Sequence, residues 1–182
     1  YLNESQRSAV YNVLKDNLKD IIKSGYDFSC VLEYFNESQR TAVCIALKDN
    51  FKYILKSGHD FGWVLRYLNE IQRAIVYTAL KDNFKDIIKS AKDFGYVIQY
   101  LNEPQKDAVY NALKNKLKKI IKSGEDFNHI LEYLNESQKT AIYTALKNNL
   151  KDIIKSGEDF GYVIYFLNET QIIVVCTEFK DS

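Results

Sequence analysis

Residues 133–165 read YLNESQKTAIYTALKNNLKDIIKSGEDFGYVIY, and residues 1–33 read YLNESQRSAVYNVLKDNLKDIIKSGYDFSCVLE. Of the 33 aligned positions, 22 are identical and no gap is needed. The motif Asn-Glu-x-Gln recurs at Asn3, Asn36, Asn69, Asn102, Asn135 and Asn168, always at the same interval. A fixed period of about 20–50 residues marks an array whose units present the same surfaces to their neighbours. The 182 residues therefore divide as a single array, 1–182, with units 1–33, 34–66, 67–99, 100–132 and 133–165 and a partial unit 166–182.

Two helices are predicted per unit. Asn3 caps the first, and Gln6 three residues later completes a capping box. Pro104 falls in the first turn, where a missing N–H costs least. Ala9, Val10, Val13, Leu14, Leu18, Ile21 and Ile22 follow at the 3.6-residue period of a half-buried helix. This helix is expected to run ~30 Å, at ~1.5 Å per residue, to Ser24-Gly25. The glycine is read as a left-handed terminator, with Ala91 the exception among five. Asp27 is read as the cap of a shorter helix of ~12 Å carrying Phe28, Val31, Leu32 and Phe35. One such pair cannot bury its own stripes, whereas stacked pairs form a continuous core. The expected fold is an all-α, right-handed superhelical α-solenoid of helical hairpins.

Composition narrows the function. Seven glycines and one proline exclude collagen-like or disordered chains. Basic and acidic residues number 25 and 24, so net charge alone recruits no polyanion. No apolar run approaches the ~18 residues of a membrane helix. Cys30, Cys44 and Cys176 sit at different unit positions without C-x-x-C spacing, and His59 and His129 are isolated. No metal site or disulfide framework is expected, which fits a reducing compartment or a secreted protein that never needed disulfides. There is no nucleophile–base pair and no glycine-rich phosphate loop, so no enzyme and no cofactor are predicted. The chain has no methionine, opens inside a short helix at Tyr1 and stops inside a long one at Ser182, so it is expected to be an excerpt of a longer protein.

Three rows of side chains are candidates for binding. Lys15, Lys19 and Lys23 share one face of the long helix, and with their four sets of copies they place 15 lysines along one edge. That edge is either a phosphate-tracking ridge or a solvated face in which Asp16 and Asp20 pair with Lys19 and Lys23. Tyr1, Tyr34, Tyr67, Tyr100, Tyr133 and Phe166 form a constant aromatic row, read as packing between units. By contrast, Cys30, Trp63, Tyr96, His129 and Tyr162 vary freely, as do Glu33, Arg66, Gln99, Glu132 and Tyr165. Near-identical units diverge where packing does not constrain them, and large aromatics are enriched at interface hot spots. The predicted protein- or peptide-binding stripe is Trp63, Tyr96, His129 and Tyr162, with Arg66 and Gln99 beside it.

Two families share features with these units. Leu134-Asn135-Glu136-Ser137-Gln138-Lys139 and Asp159-Phe160-Gly161-Tyr162-Val163-Ile164 resemble the 33-residue helical repeats of long proteins from intracellular bacteria. That resemblance implies host-directed interaction by a secreted bacterial effector, of which this chain would be an excerpt. In pairing a short with a long helix, and in the span Ala141 to Gly157, the units are also similar to transcription-activator-like effector repeats. This second resemblance implies nucleic-acid binding through the loop Asn3-Glu4-Ser5 and its copies, with phosphate contacts from Arg7, Arg40, Arg73, Lys106 and Lys139. The loop departs from that family in lacking glycines and in carrying a glutamate in every copy.

Overall fold

The structure, a computed structural model, describes residues 3–180. Tyr1 of the aromatic row and the two expected chain ends lie outside these residues. Among the described residues all regular structure is helical, and the architecture is an α-solenoid. The short helices are Gly25–Tyr34, Gly58–Leu65, Ala91–Ile98, Gly124–Leu131 and Gly157–Ile164, each starting at the same point of its unit.

The long helix is not one piece in most units. It is split into Glu4–Leu14 and Leu18–Ile21, Glu37–Leu47 and Phe51–Ile54, Glu70–Leu80 and Phe84–Ile87, and Glu136–Leu146 and Leu150–Ile153. The joint is a tight turn or 3-10 segment, Lys48–Asn50 for example. Only in the fourth unit does Glu103–Ile120 run unbroken over 18 residues. The residue at the joint explains the difference. Asn17, Asn50, Asn83 and Asn149 have φ between −98° and −112° with ψ near zero, off the helical minimum. Asparagine enters such conformations readily because its amide competes for the backbone. The fourth unit has Lys116 instead, a good helix former, whose amine also reaches the carbonyl oxygen of Lys85 in the preceding unit.

The capping boxes form as the sequence predicts. Asn69 Oδ1 accepts from the Gln72 N–H at 2.9 Å, and Gln72 Oε1 accepts from the Asn69 N–H at 3.1 Å. Gln72 also ties neighbouring units together. Its buried amide donates to the Glu37 carbonyl and the Thr41 hydroxyl, each at 2.9 Å.

Two local expectations are corrected. The cap of the short helix is Ser24 and its copies, whose hydroxyl accepts from the N–H three residues on; Asp27 sits at that third position and accepts back from Ser24 Oγ at 2.9 Å and the Lys23 N–H at 3.1 Å. Nor does any glycine have a positive φ. Gly25, Gly58 and Gly124 are needed because the next short helix leans on them. A Cβ at Gly58 would stand 2.3 Å from the Asp93 carbonyl oxygen, and one at Gly124 2.4 Å from the Asp159 Cα. The aspartate that crowds the glycine also grips it: Asp93 Oδ1 accepts from the Gly58 N–H at 2.9 Å and Asp159 Oδ1 from the Gly124 N–H at 2.7 Å. Those bonds hold the Asp159 carboxyl below its usual range, the Gly124 N–H being the main cause.

The core runs between the layers. Phe28, Phe61, Phe94 and Phe127 on the short helices are completely buried. Rings stack across units, Phe28 on Phe51 at 5.6 Å and Phe61 against Phe84 at 5.4 Å. Phe160, with no short helix stacked after it among the described residues, is only half-buried. Burial therefore comes from the next unit, as in a quasi-one-dimensional stack.

Candidate functional site

The variable row lies on the outward side of the short-helix layer. Trp63, Tyr96, His129 and Tyr162 are all half-buried, while Arg66 and Gln99 are exposed. Each aromatic leans on its neighbours without being sealed by them. The Trp63 ring is 5.6 Å from Tyr26 of the unit before and 4.5 Å from His59 of its own helix. His59 then meets Tyr96 of the next unit at 5.2 Å. Tyr26, Trp63, His59 and Tyr96 thus form a continuous aromatic ladder across three units. Small residues make room for it: a Cβ on Gly62 would come within 3.3 Å of the Tyr96 Cβ.

Three of the predicted residues meet at one place. Tyr96, Gln99 and His129 line a pocket of about 140 Å³ between the third and fourth units, with Lys92, Glu132 and Tyr133 around them and Gly95 against the His129 carbonyl. His129 Nε2 is buried without a hydrogen bond, 3.5 Å from the Glu125 carboxylate. Burial pushes the Tyr133 phenol above its ordinary value, and the Glu132 charge adds to the shift. Trp63 and Arg66 stand one unit earlier, with the Arg66 guanidinium 5.3 Å over the Tyr67 ring, and Tyr162 stands one unit later, 3.5 Å from Glu158. The row read from the sequence omitted Tyr26, His59, Lys92, Glu125 and Glu158. These occupy the position four residues earlier on the same face and vary as freely as the row itself, which was the available signal.

The row Arg7, Arg40, Arg73, Lys106 and Lys139 is half-buried in contacts within the protein. Arg40 donates to the Leu32 carbonyl at 2.7 Å and the Tyr67 carbonyl at 2.8 Å. Arg73 donates to the Leu65 carbonyl at 3.0 Å and lies 5.2 Å over Tyr100. Lys106 pairs with Glu103 at 2.7 Å, and Lys139 pairs with Glu136 at 2.8 Å while covering the Phe166 ring. Arg40 and Arg73 thus finish the C-termini of short helices, and Arg73 and Lys139 stack on the constant aromatics Tyr100 and Phe166.

The 15 ridge lysines are all exposed. The expected pairing with aspartate is weak: Lys23 approaches Asp20 only to 3.9 Å, both side chains being largely solvated. In the fourth unit Lys114, Lys116, Lys118, Lys119 and Lys122 occur without an acid between them. A groove of about 470 Å³ opens there toward the fifth unit, lined by Lys118, Lys119, Lys122 and Lys155 together with Asp152.

Cys30, Cys44 and Cys176 are free thiols, and burial pushes Cys44 up to about 12. Among the described residues no cluster of three metal-ligating side chains occurs, and no helix is long and apolar enough to cross a membrane.

No family model and no curated protein matches the chain. Its structure is similar to a solved one, the Puf3 RNA-binding domain bound to the Cox17 RNA 3′ UTR recognition sequence site B, with a TM-score of 0.75 and 14% identity. The match covers 96% of this chain and 56% of that one, so the chain spans just over half the length of its structural neighbour. At that identity the likeness is one of fold, a stack of helical repeats.

Proposed function

We propose that the chain is a non-catalytic binding module that holds an extended peptide along its short-helix layer. The observation that carries this reading is the pocket between the third and fourth units. It gathers Tyr96, Gln99 and His129 between a cation, Lys92, and an anion, Glu132. At about 140 Å³ it is the size of one amino-acid side chain, and its mixed charge suits a peptide better than a uniformly anionic strand. The aromatic ladder beside it offers rigid, amphipathic contact area at low entropic cost. The test is selection of binders from a displayed peptide library. Selected peptides should lose at least tenfold in affinity on Tyr96→Ala and on His129→Ala, and little on Lys118→Glu. Peptides that bind these variants equally well would defeat the proposal.

A second reading has its own observation. The acid-free run Lys114–Lys122 and the exposed lysine edge suit a phosphodiester backbone, and the structural neighbour is a helical-repeat domain bound to RNA. Three or four phosphates neutralised there give a salt slope of roughly −2 to −3 for a single strand. Single-stranded RNA binding with that slope, abolished by Lys118→Glu with Lys119→Glu, supports this reading. Absence of binding at low salt removes it.

A further inference from the structure

A groove of about 840 Å³ lies between the first helix of the third unit, Glu70–Leu80, and the joint and second piece of the long helix of the second unit, Lys48–Asn50 and Phe51–Ile54. Ile71, Ala74, Ile75 and Ala79 line it together with Thr78, and Lys48, Asp49 and Lys52 line it from the second unit. The other copies of the array act as controls for this composition. Where the third unit has Ile71, the others have Ser5, Ser38, Pro104, Ser137 and Thr170. Ala74 stands where others have Ser8, Thr41, Asp107, Thr140 and Ile173, and Ile75 where others have four alanines and Val174. Two further exchanges fall on the second unit, outside the residues that line the groove, although the lining residue Lys52 lies 4.9 Å over the Tyr53 ring. Ile45 stands where others have Asn or Thr, and Tyr53 where others have Asp20, Asp86, Lys119 and Asp152. Both are exposed, as is Ile71 at 72%. Five departures toward hydrocarbon thus fall on two adjacent units, while the same positions in the other full units are mostly polar or small; the partial unit 166–182 shares the trend at Ile173 and Val174 alone.

We infer that this groove docks an amphipathic α-helix of a partner protein whose apolar stripe is flanked by acidic residues. Ile71, Ala74, Ile75 and Ala79 follow the spacing of one helix face and span ~12 Å, two turns of an occupant laid alongside. Lysines supply the charge complement: Tyr53 removes the acid that sits next to the equivalent lysine in three other units, leaving Lys48 and Lys52 with Asp49 alone nearby in sequence. A small apolar ligand is a poorer occupant, because such ligands need most of their surface enclosed and this groove stands open to solvent. A helix covers an open groove by length. The site lies on the long-helix layer, apart from the short-helix stripe, so it does not depend on the peptide reading above.

The test uses a helix-stabilised peptide of about five turns, with leucines at i, i+4, i+7 and i+11 and glutamates beside them, and a twin carrying lysine in place of glutamate. Fluorescence anisotropy should show the glutamate peptide binding at least tenfold tighter than its twin. Ile71→Ser, the residue native to other units, and Lys48→Glu with Lys52→Glu should each weaken it at least tenfold, while Tyr96→Ala leaves it unchanged. Equal binding of the two peptides, or indifference to Ile71→Ser, overturns the proposal. So does a concentration-dependent dimer in sedimentation that Ile71→Ser abolishes, since the groove would then be covered by a second copy.

Discussion

The two layers of this stack use near-identical sequences to different ends. Every short helix is built the same way, with a serine cap, a small residue against the next unit and a buried phenylalanine wherever another unit follows. The long-helix layer is variable: split at an asparagine in four units, continuous at Lys116 in one, and opened by a groove between the second and third. Where backbones touch, the position holds glycine or, at Ala91, no more than a buried methyl, and the layer drifts little. Where they stand apart, propensity at one residue decides the local geometry, and exposed faces are free to take on new chemistry. The short-helix layer is the spine of the molecule, and its large side-chain exchanges fall on the outward row, while its buried positions exchange mostly small residues, such as Ser29 for Gly62 and Gly95.

The largest expected effect removes a core ring from that spine. Phe61→Ala should cost about 3–5 kcal/mol in chemical denaturation, whereas the half-buried Phe160→Ala should cost less than half as much. An equal cost at both sites would break the picture of burial supplied by the next unit.

Glycine gives a sharper contrast. Gly58→Val forces a side chain into the Asp93 backbone and should cost about 3 kcal/mol, while Gly157→Val, with open space at the same position, should stay near ~0.5 kcal/mol. If the two variants melt alike, close approach is not why the residue is glycine. On the long-helix layer, Asn69→Ala should cost about 1 kcal/mol through the lost cap, read from the shift in denaturation midpoint.

The aspartate grip predicts a mild acid sensitivity. Because the Asp159 carboxyl titrates lower in the folded chain than its unfolded value near ~3.9, its contribution is complete above that pH. It is lost as the pH falls through the folded value. The stability of Asp159→Asn should therefore be flatter with pH below about 4 than that of the parent; parallel acid profiles would show that the grip contributes nothing.

The period, the alternation of a long and a short helical segment, the capping boxes and the core faces were legible in the sequence because each is written several times over. The break at Asn83 was not, since the apolar stripe passes through it in register and only the contrast with Lys116 marks the joint. The true role of the glycines was also hidden. Glycine after a helical stripe reads as a left-handed terminator, whereas the cause here is a distant stretch of backbone, in the next unit. The Tyr96–Gln99–His129 cluster was visible as a row of variable residues, but the pocket that joins them is created by stacking.

The contrast between the layers is tested most directly by residue-resolved amide hydrogen exchange on the intact chain. Amides of Gly58–Leu65, Ala91–Ile98 and Gly124–Leu131 should exchange only through the largest openings, while those at Lys48–Asn50 and Lys81–Asn83 exchange early by local fraying. Lys114, Asn115 and Lys116, inside the unbroken helix, should be protected at least tenfold more than their counterparts Lys81, Asp82 and Asn83. Equal exchange at these two sets, or short helices that open before the long ones, would contradict the account.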